Sequence, residues 1–125
     1  MEDMTKNLYS QNILDHYHHP RNYGTLKGYT FASNNRNPSC GDMISIQGRV
    51  CNGILEEVRF EGSGCMLSQA AASILLEYVS GKQIQEILTM TQAQVHDLVG
   101  TPVGPTRARC IDLTLEVLQK GLQIS

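Results

Sequence analysis

The chain has 125 residues, 41% hydrophobic and 18% charged, with a net charge of -2, the profile of one globular domain that folds without disulfides. Its ten basic residues are scattered, with no basic stripe interleaved with aromatics, so no nucleic-acid partner is indicated. No apolar run approaches the roughly 20 residues that span a bilayer, so no membrane partner is indicated either. The polar N-terminus, with Glu2, Asp3 and Lys6, lacks the apolar core of a secretory signal and points to the cytoplasm. In that reducing compartment four cysteines read as metal-binding or catalytic thiols rather than disulfides.

From Leu8 to Tyr23, the residues Leu8, Tyr9, Asn12, Ile13, His16 and Tyr17 recur at helical spacing and predict one short amphipathic helix. His19-Pro20 and then Asn22-Tyr23-Gly24 end it. From Gly28 to Glu61 the period is two. Ile44 and Ile46 alternate with polar neighbours, and Ile54, Val58 and Phe60 oppose Glu57, Arg59 and Glu61. Asn52-Gly53 is a hairpin turn signal, and a weaker strand covers Tyr29 to Asn34. After Cys65 the rhythm is helical. Leu67, Ala70, Ala71, Ile74, Leu75 and Tyr78 form a stripe stopped by Gly81. Ile84, Ile87 and Leu88 mark a short helix; Val95, Leu98 and Val99 mark another. The Gly/Pro-rich stretch from Gly100 to Pro105 breaks the pattern before a last helix of about 16 residues carrying Ile111, Leu115, Leu118 and Leu122. The expected fold is α+β: a three-stranded antiparallel sheet covered on one face by an N-terminal helix and a C-terminal group of helices, in one domain spanning 1–125.

The cysteines differ in setting. Cys40, in Asn37-Pro38-Ser39-Cys40-Gly41-Asp42, sits in a turn, where function concentrates, rather than in an apolar run. Cys65 follows Gly62-Ser63-Gly64 at the start of a helix, where the dipole and free N–H groups stabilise a thiolate; it also reads as a small capping residue. Cys110 lies one to two turns into the last helix beside Arg107 and Arg109; arginines or a metal could lower its pKa, and it reads equally well as a core residue. Cys51, at a strand end beside Asn52-Gly53, reads as a packing residue. Three thiols and the nearby Asp42 carboxylate make a plausible tetrahedral set for zinc or an iron–sulfur cluster, with Asp42 otherwise a turn residue. His16, His18 and His19 read as a solvated helix end, and His96 as a surface residue or a fourth ligand. A cysteine hydrolase built on Cys65 would need a histidine base, and no nucleophile–base–orienter pattern is present.

Several ordered motifs resemble the U-type iron–sulfur scaffold family, which includes IscU, SufU and the N-terminal domain of NifU. They are Leu14-Asp15-His16-Tyr17-His18-His19-Pro20-Arg21-Asn22, Asn37-Pro38-Ser39-Cys40-Gly41-Asp42, Gly62-Ser63-Gly64-Cys65 with Ser68, Ala70 and Ala72-Ser73, and Cys110. The resemblance spans nearly the whole chain. It implies that Cys40, Cys65 and Cys110 are ligands or sulfur acceptors, with Asp42 the fourth ligand tuning cluster lability. It implies a transient [2Fe–2S] cluster, iron and zinc as cofactors, a cysteine desulfurase as sulfur donor, and apo iron–sulfur proteins or carrier proteins as recipients. The chain would then be a scaffold rather than an enzyme, or a zinc-dependent sulfur acceptor like SufU. Arg109 stands where IscU members carry histidine. Thr101-Pro102-Val103-Gly104-Pro105-Thr106-Arg107 replaces their chaperone-binding Leu-Pro-Pro-Val-Lys segment, which puts a chaperone partner in doubt. The pattern from Pro105 to Cys110 is more similar to SufU, although the 44 residues between Cys65 and Cys110 leave little room for the SufU insertion.

Overall fold

The first helix, α1 (Gln11–His18), begins where the Ser10 hydroxyl accepts the Ile13 N–H at 3.2 Å, satisfying one of the donors left open at a helix start. This computed structural model describes residues 10–38 and 41–123. Leu8 and Tyr9, expected in this helix, lie outside them. The helix stops at His18, and the His19 N–H closes the last turn on the Asp15 carbonyl. It ends where His19-Pro20 was expected to end it, because the residue before a proline avoids the helical region.

Strands β1 (Phe31–Arg36), β2 (Met43–Cys51) and β3 (Ile54–Ser63) form one antiparallel sheet in that order. Asn52 (φ 53°) and Gly53 (φ 77°) both take left-handed backbone, as a two-residue hairpin with the right twist requires. Strand β1 starts two residues later than predicted. Its inward residues are Phe31 and Ser33. The alternation in β3 is also corrected. Arg49 pairs with Glu57 but Val50 pairs with Leu55, so Glu56 is an extra residue in a bulge. The bulge flips the inward parity: Leu55 is fully buried and Ile54 is exposed.

The helices follow the sheet. Helix α2 (Met66–Val79) is buried over most of its surface, and its Ala70, Ala71 and Ala72 allow close approach on several sides. Tyr78, counted in the apolar stripe, is exposed. Ser80 caps the helix, and Gly81 follows at φ 87°. Helix α3 (Ile84–Leu88) is short; α4 (Gln92–Val99) starts with a reciprocal Thr91–Gln94 capping box and ends at left-handed Gly100. Helix α5 (Pro105–Gln123) opens with proline in its first turn, where the missing N–H costs nothing. Helix α5 packs on β1 and β2, α2 packs on β3, and α1 packs on α2. One face of the sheet is thus covered by helices. The other carries Arg49, Glu57 and Arg59 in an ion-pair row. Among the described residues no helix is long and apolar enough to cross a membrane.

Candidate metal centre

Three segments meet at one end of the sheet. The first is the loop entering β2, where the Asn37 N–H donates to the Asp42 carbonyl at 2.7 Å and the Gly41 N–H to the Asn37 carbonyl at 2.8 Å. The β2–β3 register pairs Met43 with Ser63, so the next residues outward, Asp42 and Gly64, face each other. This is why the second segment, the turn from β3 into α2, delivers Cys65 beside Asp42. The third is α5, which presents Cys110 from its second turn.

Asp42 is 1% exposed. A buried carboxylate needs donors and positive potential, and the turn supplies both. The Cys65 N–H donates to Asp42 Oδ1 at 2.9 Å, at the positive end of α2. Cys65 is the residue capping α2: its Sγ accepts the Ser68 N–H at 3.4 Å, and the Ser68 hydroxyl donates to the Cys65 carbonyl at 3.0 Å. Both sequence readings of Cys65, helix cap and polarised thiol, therefore describe the same geometry. Its Sγ also lies 3.6 Å from Asp42 Oδ2. Cys110 is buried. One ligand atom each from Asp42, Cys65 and Cys110 lie within 4.8 Å of one another.

The trio disfavours negative charge on Cys110. Burial pushes the Cys110 thiol far above its ordinary range, and Asp42 and Cys65 beside it push in the same direction. The expectation that Arg107 and Arg109 could lower this pKa is not met: both are exposed, and the shift at the thiol is upward. A tetrahedral zinc ion, with bonds of about 2.3 Å to sulfur and about 2.1 Å to oxygen, would hold a sulfur and an oxygen about 3.5 Å apart. The observed Cys65–Asp42 separation fits that edge. Two soft donors with one hard one suit zinc and ferrous or ferric iron.

Cys40, the remaining expected ligand, lies outside the described residues. Cys51 does not pack in the core; as the last residue of β2 it is exposed beside the hairpin turn. His16 is corrected as well. It is 5% exposed, with Nδ1 2.7 Å from the Ser73 hydroxyl, while His18 and His19 are exposed. His96 is partly buried and pairs through Nε2 with Asp112 Oδ1 at 2.8 Å, so it belongs to the α4–α5 contact and not to the thiol cluster. Gly64 faces the Asp42 carboxylate: a Cβ built on it would stand 2.0 Å from Asp42 Oδ1. Only the strand register, not the motif, could have indicated this.

Residues 8–124 match the family profile of the NifU-like N terminal domain. A relative described as a zinc-dependent sulfurtransferase SufU, from Bacillus subtilis, is 33% identical over 92% of this chain and 89% of its own length. An iron–sulfur cluster assembly scaffold protein IscU from Aquifex aeolicus is 36% identical over 92% of this chain and 74% of its own. The fold is similar, with a TM-score of 0.81 and 22% identity, to the crystal structure of a candidate iron–sulfur cluster assembly scaffold of the SUF system from Fervidobacterium islandicum AW-1; the match covers 94% of this chain and 98% of that one.

Proposed function

The chain belongs to the NifU-like N-terminal domain family, and from that premise we propose that it is an iron–sulfur cluster assembly scaffold. In this reading Cys40, Asp42, Cys65 and Cys110 hold a transient [2Fe–2S] cluster, with sulfur received from a cysteine desulfurase and the cluster passed to apo-proteins or carriers in the cytoplasm. The observation that carries it is the convergence of Asp42, Cys65 and Cys110 within 4.8 Å. Cys40 enters through chain connectivity. It stands two residues before Asp42 in the motif Asn37-Pro38-Ser39-Cys40-Gly41-Asp42.

The chemistry follows from the donors. A thiolate of this site attacks the outer sulfur of the desulfurase persulfide; a new S–S bond forms here and the donor cysteine leaves as a thiolate. The capping N–H of Ser68 stabilises negative charge on Cys65 during such a step. Cys110, buried on α5, anchors the site. The Asp42 carboxylate is a harder donor than sulfur and suits a cargo that must leave.

A second reading, a zinc-dependent sulfur acceptor, is favoured by the Bacillus subtilis relative. Zinc bound there would supply the charge that keeps the thiols deprotonated. Elemental analysis of protein purified without oxygen, followed by reconstitution with iron, sulfide and thiol, tests the two. The scaffold gives a coloured protein that transfers its cluster to an apo-ferredoxin, faster than an Asp42→Ala variant does. The acceptor gives tight zinc, no stable colour, and a mass gain of about 32 Da on one cysteine after incubation with desulfurase and cysteine. A chain that binds neither zinc nor a cluster would refute both.

A further inference from the structure

The turn before α2 carries a feature that the ligand set does not account for. Gly64 sits at φ 130°, a backbone that side chains rarely adopt, and the space where its Cβ would stand is filled by Asp42. The nearest atoms to that position are Asp42 Oδ1 at 2.0 Å, Cγ at 2.7 Å and Cα at 2.9 Å. The same Oδ1 accepts the Cys65 N–H at 2.9 Å. One carboxylate oxygen is therefore enclosed by the turn, while the other, Oδ2, faces the Cys65 sulfur at 3.6 Å.

We propose that Gly64 is a positioning residue whose missing side chain forms a socket for Asp42 Oδ1, so that Asp42 offers the metal centre one oxygen in a fixed direction. The inference rests on the metal-centre reading and deepens it. The socket and the Cys65 N–H fix the carboxylate before any ion arrives, so binding does not have to order it. They also restrict Asp42 to one ligating oxygen, which suits a four-coordinate ion and disfavours larger ions that take two oxygens from one carboxylate. Gly62 provides the contrast. A Cβ there would meet the Met43 carbonyl oxygen at 2.6 Å and Ile44 Cδ1 at 2.8 Å, crowding the same strand end against atoms other than those of Asp42.

The test uses Co²⁺ and Zn²⁺ on the full chain. Gly64→Ala should weaken zinc about tenfold or more, the scale of losing a group that orients a ligand. Its bound-Co²⁺ visible spectrum should match that of Asp42→Ala, and the double variant should differ little from Asp42→Ala alone. Gly62→Ala should lower the melting temperature yet keep the parent spectrum. Asp42→Glu keeps the donor type and introduces no backbone strain, but its extra methylene does not fit the socket; it should also lose the parent spectrum, and it decides the matter if Gly64→Ala does not fold. A parent that binds normally beside Gly64→Ala and Asp42→Glu variants with the parent's affinity and spectrum overturns this inference alone. A parent that binds neither ion overturns the metal centre itself, and the socket with it.

Discussion

His16 on α1 and Ser73 on α2, 57 residues apart in sequence, meet at 2.7 Å inside the protein. The Ser73 hydroxyl also accepts the Arg21 N–H at 2.8 Å, so one buried oxygen ties both the first helix and the turn after Pro20 to the central helix. Replacing it by Ser73→Ala leaves the Arg21 N–H and His16 Nδ1 without this partner and should cost about 1–3 kcal/mol, read as a lower urea midpoint.

The same contact makes stability depend on pH. Burial is the chief cause that lowers the His16 pKa, with the Arg21 charge next; Glu77 and Asp15 pull the other way without reversing it. The unfolded chain therefore takes up a proton more readily than the folded one. His16 contributes its full stability above its unfolded pKa of about 6.5, and that contribution is lost as pH falls through its lower folded value. In zinc-free protein, His16→Gln should flatten the fall of the urea midpoint between about pH 7 and pH 5 relative to the parent. Equal slopes in the two proteins would show that other groups set it.

Phe31 is wedged between two glycines. A Cβ on Gly48 of β2 would lie 2.4 Å from its ring, and one on Gly121 of α5 would lie 2.7 Å from it. Close contact between β1 and the last helix therefore depends on both glycines. Gly48→Ala and Gly121→Ala should each destabilise by about 1–3 kcal/mol through overpacking. The propensity gain of alanine in a helix offsets part of the Gly121 cost, so Gly48→Ala should be the worse of the two in thermal melts.

These relationships mark the boundary of what was legible. The Asn52-Gly53 turn, the Gly81 and Gly100 helix ends and the Pro105 start were all readable because each depends on a few adjacent residues. The inward parity of β3 failed at Ile54 because a bulge is a property of two strands, not one. His16 looked solvated because its partner Ser73 lies on another helix. The motifs brought Asp42, Cys65 and Cys110 into view as a set, but not the register of Met43 with Ser63 that sets Asp42 against Gly64.

Thiol reactivity should separate the cysteines by setting. Cys51 is exposed, Cys65 is half-buried and Cys110 is buried with a raised pKa. In metal-free protein, iodoacetamide should label Cys51 ahead of Cys110, with peptide mass mapping as the readout. Zinc should protect Cys65 and leave Cys51 as reactive as before. Protection of Cys51 by zinc would mean that the ion binds elsewhere than at the Asp42 cluster.

Zinc should also stabilise the fold, because the candidate ligands come from three segments that unfolding separates. Asp42 enters β2, Cys65 caps α2 and Cys110 lies on α5. An ion held in common therefore ties the sheet to both long helices. At a free concentration 100 times the dissociation constant, a ligand specific to the folded state adds about 2.7 kcal/mol. For a domain of this size that is a melting rise of roughly 10 °C. Asp42→Ala should reduce that rise by weakening the ion, and Cys51→Ser should leave it intact, since Cys51 is on the hairpin and not in the cluster. Calorimetry with and without a chelator measures both. An equal rise in the parent and in Asp42→Ala at matched, sub-saturating zinc would show that the carboxylate carries no share of the binding.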